Sequence, residues 1–123
     1  MVHLGNHLKM MLHRSLRGQA REFYHGLLEC KVLESPMPDL DLYEFADGVV
    51  LGLFIVDDPG AVLSETDHLK AAWLEIKVDD PAAWKARLEA FGVRKVAFPD
   101  PSRFFFHAPG GQVFRLAPID GGL

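Results

Sequence analysis

The chain has 123 residues, of which 49% are hydrophobic and 24% charged, with a formal net charge of −4. That length suits one ordinary domain or two half-size modules sharing a core, and it needs no disulfide or metal staple to fold. The acidic balance argues against nucleic-acid or membrane-surface partners, which select a basic face, and the lone Cys30 excludes an intrachain disulfide and fits a reducing cytoplasm.

In chain order, no apolar run approaches the roughly 20 residues of a membrane span. The opening "MVHLGNHLKM" carries neither part of a signal peptide. Residues 7–14 alternate as a strand. Residues 18–29, "GQAREFYHGLLE", place Ala20, Phe23, Tyr24, Leu27 and Leu28 on one helical face. Strands are predicted near 30–34, 41–46 and 49–56. The polar, turn-rich "DDPGAVLSETDH" (57–68) reads as a linker.

Residues 71–78 predict a strand. Asp80 then caps a helix with Pro81 at its first position. Trp84, Leu88 and Phe91 recur at helical spacing, and Gly92 ends the helix. Strands are predicted near 94–98, 103–107 and 112–117, and the tail "DGGL" is expected to fray. The segment "RKVAFPDPSR" (94–103) holds two prolines and reads as a loop that could act as a lid.

The halves repeat. "GVVLGL" (48–53) and "GQVFRL" (111–116) superpose at an offset of 63, while "LLECKV" (27–32) and "AFGVRKV" (90–96) share Lys-Val at an offset of 64. "LKMMLHRS" (8–15) and "AWLEIKVD" (72–79) are strand-like and also 64 apart. Each half thus reads as strand, helix, then three strands. The expected α+β fold is a single domain (1–123) of two βαβββ modules, 7–56 and 69–118, joined by the linker 57–68. The modules would form a curved mixed sheet around a cleft, with helices outside.

"AREFYHGLLECKV" (20–32), "AWLEIKVDDPAAWKARLEAFGV" (72–93) and "FFFHAPGGQVFRLAP" (104–118) resemble the first helix exit, the second-module opening and the closing hairpin of the vicinal oxygen chelate superfamily. That superfamily holds glyoxalase I, bleomycin-resistance proteins and extradiol dioxygenases. The resemblance spans roughly residues 7–118 and implies paired βαβββ modules, often in a homodimer. Three positions depart from the pattern. Glu29 replaces the second glycine of the helix exit, Ala108 replaces the hairpin aspartate, and "LHRSLRG" lacks the usual aspartate after the first strand.

Metal-dependent members take one His or Glu from each of four strands, donors that suit zinc, nickel or iron. Ungapped carry-over puts those positions on Lys9, Gly52, Trp73 and Arg115. Two are cations, one has no side chain and one is an indole. His7 lies on the same strand face as Lys9, so a two-residue shift would restore one ligand but not the other three.

Strand parity then suggests a lining. Lys9, Met11 and His13 share one side of the first strand, and Trp73, Glu75 and Lys77 share one side of the second module's opening strand. A four-residue corner at 108–111 would pair Phe104 with Arg115 and Phe106 with Val113, putting all four in the cavity. The repeat places Tyr43, Val50, Gly52 and Phe54 likewise. Lys9, Tyr43, Trp73, Glu75, Phe104, Phe106 and Arg115 are therefore the candidate ligand-binding residues, with Glu75 a weak candidate for a general base.

The leading expectation is a metal-independent, cytoplasmic small-molecule-binding protein of the bleomycin-resistance type. Its ligand would be anionic with an apolar or aromatic body, held by Arg115 and Lys9 and stacked on the aromatic side chains. A rival is a divalent-metal-dependent lyase, isomerase or dioxygenase resembling glyoxalase. A third reading is a structural module in which Trp73 and the phenylalanines fill the cavity and the cations merely neutralise Glu75.

Overall fold

The structure is a computed structural model that describes residues 1–121; the end of the tail expected to fray lies outside the described residues. Its chain falls into two compact units, Met1–Val62 and Leu63–Leu123. Among the described residues no helix is long and apolar enough to cross a membrane.

In the first unit β1 (His7–His13) leads through a 3₁₀ turn (Arg14–Leu16) into α1 (Arg17–Arg21) and a π-helical turn (Glu22–Leu27). β2 (Lys31–Leu33), β3 (Leu40–Glu44) and β4 (Val50–Val56) complete a four-stranded sheet of order β1-β4-β3-β2. β1 and β4 run parallel and the other pairs antiparallel. Ala20, Phe23 and Tyr24 are buried, and Tyr24 stacks on Tyr43 of β3 with centroids 5.5 Å apart. Each such ring buried is worth roughly 1.5–3 kcal/mol, so this sheet face and the helix hold each other.

A charge cluster closes one end of that sheet. Arg14 donates to Asp57 at 2.7 Å and to Asp39 at 3.0 Å, and Arg17 donates to Asp41 at 2.7 and 2.9 Å. Beside them His13 caps the 3₁₀ turn. Its Nδ1 accepts from the Ser15 N–H, which leaves Nε2 to donate to the Asp57 carbonyl at 3.0 Å.

The second unit repeats the scheme. α2 (Glu65–His68) precedes β5 (Leu74–Val78), α3 (Pro81–Phe91), β6 (Arg94–Val96), β7 (Phe104–His107) and β8 (Val113–Pro118), in a sheet of order β5-β8-β7-β6. Asp80 accepts from the Ala83 N–H, as a cap should, with Pro81 at the first position. The segment 57–68 is not wholly irregular, since it holds a 3₁₀ turn (Pro59–Ala61) and all of α2. The expected strand 71–78 starts only at Leu74, because Gln112 Nε2 and Trp73 Nε1 take the carbonyls of Ala72 and Leu69 before pairing begins.

The two helix exits differ in one residue type. In the second unit Gly92 (φ 100°) closes α3, and in the first the same left-handed corner falls on Glu29 (φ 62°), which is exposed. A side chain there costs about 1–2 kcal/mol, partly offset by the entropy glycine loses on folding. Glu29→Gly is therefore expected to stabilise the protein by about 0.5–1 kcal/mol in urea denaturation, and a loss of stability would show that Glu29 makes a compensating contact.

Candidate functional site

The chemistry-bearing side chains gather on the face of the second sheet turned away from α3. The β5/β8 register sets Glu75 directly beside Arg115, and the β7/β8 register sets Arg115 beside Phe105. Paired residues share a face, so Glu75, Arg115 and Phe105 stand together. Arg115 Nη1 donates to Glu75 Oε2 at 3.0 Å, while Glu75 Oε1 lies 3.8 Å from Lys77 Nζ. Both oxygens of the one candidate base thus face cations. The Arg115 side chain is only 16% exposed, and its buried Nε–H has no hydrogen-bond partner among the described residues.

An aromatic cluster lies beside this pair. Trp73 packs on Phe105 with centroids 5.1 Å apart, and Phe98 lies 4.4 Å from Phe105. Phe98 belongs to the loop before β7, and Asp100 of that loop takes two hydrogen bonds from Ser102. Those bonds hold the Asp100 carboxyl below the usual carboxylate range, and nearby Arg103 and Arg115 push it the same way.

The faces of three expected residues need correction. The hairpin corner is five residues long, closed by the Ala108 N–H on the Gln112 carbonyl, with Gly110 and Gly111 both at positive φ. His107 therefore pairs with Val113, and Phe104 pairs with Leu116 rather than with Arg115. Phe104 and Phe106 stack with each other on the α3 side, where Lys85 of α3 lies over Phe104. Tyr43 is likewise on the helix side of its own sheet, because Leu42, not Tyr43, pairs with Gly52. Lys9 does pair with Gly52, stands exposed, and lies over the Phe54 ring at 4.7 Å. Phe105 and Phe98 are the aromatic residues that sequence reasoning missed. The two glycines of "APGGQ" were the available signal, since each permits the positive φ that a wider corner uses.

A second polar cluster supports the hairpin corner. His68 of α2 is buried against Gly111, whose added Cβ would meet the ring at 2.7 Å. His107 Nδ1 donates to the Gly111 carbonyl at 2.8 Å, and its Nε2 lies 3.9 Å from Glu65. Burial, then the neighbouring His107, pushes the His68 pKa down. Cys30 is buried in the first unit, and burial pushes its thiol up to about 12, so it stays protonated.

No protein-family model and no curated protein matches the chain in sequence. Solved structures match its architecture. A mutant fosfomycin resistance protein FosX from Listeria monocytogenes, complexed with Mn(II) and 1S,2S-dihydroxypropylphosphonic acid, shares 13% identity over 95% of this chain and 90% of that one, with a TM-score of 0.68. A glyoxalase family protein from Bacillus anthracis shares 14% over 94% of each chain, with a TM-score of 0.69. An Agrobacterium tumefaciens protein shares 21% over 98% of this chain and all of that one, also at 0.69. The chain has the vicinal oxygen chelate fold.

That fold implies a metal in many of its members, so the donor set decides whether one fits here. The parallel pairs place Lys9 beside Gly52 and Glu75 beside Arg115. With Gly52 and Arg115 equivalent in the repeat, the counterpart of Lys9 is Glu75, not Trp73. By this register the position matched to Lys9 lies two residues beyond Trp73, the position that ungapped carry-over gives. In the first unit these positions offer a lysine and a glycine, and in the second a carboxylate already bonded to a guanidinium. Neither pair by itself fits a divalent cation. Among the described residues no three His, Cys, Asp or Glu side chains are grouped to hold one.

The His68 environment carries a pH dependence. The folded state binds this proton less readily than the unfolded chain, so the unfolded chain is protonated first as pH falls below about 6.5. Stability should therefore decrease from neutral pH toward pH 5, and His68→Gln should flatten that slope. An identical slope in the variant would show that other groups set it.

Proposed function

We propose that the Arg115 face of the second unit binds a small organic anion with an apolar or aromatic body, without a resident metal. The observation that carries this reading is the Arg115 Nε–H, buried beside an aromatic cluster and without a partner among the described residues. An unmet buried donor costs about 1–3 kcal/mol, and an anionic oxygen reaching the guanidinium would recover it. Trp73, Phe98 and Phe105 offer apolar surface for the body of such a ligand. The phosphonic acid bound by the Listeria FosX is a small organic anion, which supports the same ligand class on this fold. In this reading the protein acts in the cytoplasm, and a homodimer is the expected assembly by resemblance.

The Mn(II) in that FosX structure favours a second reading, a divalent-metal-dependent enzyme resembling glyoxalase or a dioxygenase. It requires ligands other than the four carried-over positions. The contacts of Trp73 and Phe98 on Phe105 favour a third, in which this face is filled by its own aromatic side chains.

Calorimetric titration with benzoate and phenylphosphonate separates these readings. Metal-free protein should bind at least one of them, and Arg115→Met should weaken that binding about tenfold or more, the worth of one charged hydrogen bond. Equal affinity in wild type and variant would remove Arg115 from the site. Binding only after addition of Mn(II) would favour the metal-dependent reading.

A further inference from the structure

The opposite side of the same sheet carries a feature that this reading does not use. A groove of about 200 Å³ opens between the first turn of α3, β6 and the loop before β7. Lys85, Lys95 and Arg103 line it, and Phe104 and Leu116 form its apolar part. The register explains the convergence. Lys95 pairs with Phe106, and Phe104 pairs with Leu116, so the lysine and both apolar residues share the helix side of the sheet. Lys85 enters from α3 and places its ammonium 5.4 Å from the Phe104 ring.

The charges are unbalanced. Arg103 is paired with Asp100 at 3.6 Å, whereas among the described residues neither Lys85 nor Lys95 is paired with a carboxylate, and no carboxylate lines the groove. Two uncompensated positive charges thus border an apolar pocket. Its volume is below the roughly 300–1,000 Å³ of drug-sized sites, so the occupant must be small.

We propose that this groove is a second ligand site, specific for a small organic dianion of the phosphate-monoester type. The phosphoryl oxygens lie between the Lys85 and Lys95 ammonium groups, and the short organic group rests on Phe104 and Leu116. Ammonium groups serve this purpose as point charges that a compact dianion can bridge. The proposal does not depend on the Arg115 face, which lies on the other side of the sheet.

Amide chemical-shift mapping with phenyl phosphate as the probe tests it. Saturable shifts are expected at Ala82, Lys85, Lys95 and Leu116, with a dissociation constant on the order of 1 mM or tighter. They should persist in Arg115→Met, weaken about tenfold in the Lys85→Gln/Lys95→Gln double variant, and diminish with added salt. Benzyl alcohol, the neutral control, should give none of them. Shifts confined to Glu75, Phe105 and Arg115, unchanged affinity in the double variant, equal shifts from benzyl alcohol, or no saturable shift at all would each overturn the proposal. Because both lysines are exposed, the double variant should keep a dispersed spectrum. Salt dependence of the wild-type protein gives a second readout that needs no variant.

Discussion

The ion pair between Arg115 and Glu75 is the constraint on which the functional reading rests. It is set by backbone register, since β5 and β8 run parallel and bring the two residues side by side. A charge on the middle of a largely buried strand is costly unless it is met. Glu75 meets one edge of the guanidinium and leaves Nε–H unmet. The same pair engages Glu75, the only carboxylate among the register-matched positions Lys9, Gly52, Glu75 and Arg115. In the proposed reading this one interaction disfavours a cation at this place and favours an organic anion.

The two units solve one design in different ways. Each packs a helix on one side of a four-stranded sheet and pairs its first and last strands in parallel. At the equivalent register the first unit has Lys9 beside Gly52, and its ammonium settles over Phe54. The second unit has Glu75 beside Arg115, and there the charges pair. Helix exits diverge too, with Gly92 relaxed in the left-handed corner and Glu29 strained in it. Function on this fold follows from such local chemistry and not from the architecture.

Much of the fold was legible in the sequence because its elements carry strong local signals. Asp80-Pro81 and Gly92 bound α3 where capping chemistry places them, and the alternation of residues 7–14 found β1 to within a residue. The site was less legible, because facing depends on register. A corner of five residues in place of four shifts the β7 pairing by one, which turns Phe104 and Phe106 to the helix and Phe105 toward Arg115. The first unit shows the same shift, since Leu42 pairs with Gly52, and Tyr43 is buried against Tyr24 on the helix side. Trp73 lies two residues before Glu75, and its ring packs on Phe105 beside Arg115. Phe98 falls at the end of the strand expected near 94–98, but β6 ends at Val96, which leaves Phe98 in a loop where no register fixes what it packs against.

Metal content is the most direct measure of the central claim. Protein purified without chelator, loaded with Mn(II), desalted and analysed by mass spectrometry for manganese, iron, nickel and zinc should retain far less than one equivalent per chain. Retention of one equivalent that is lost in Glu75→Gln would mean that this carboxylate holds a metal after all, and would contradict the assignment of the Arg115 face to an organic anion.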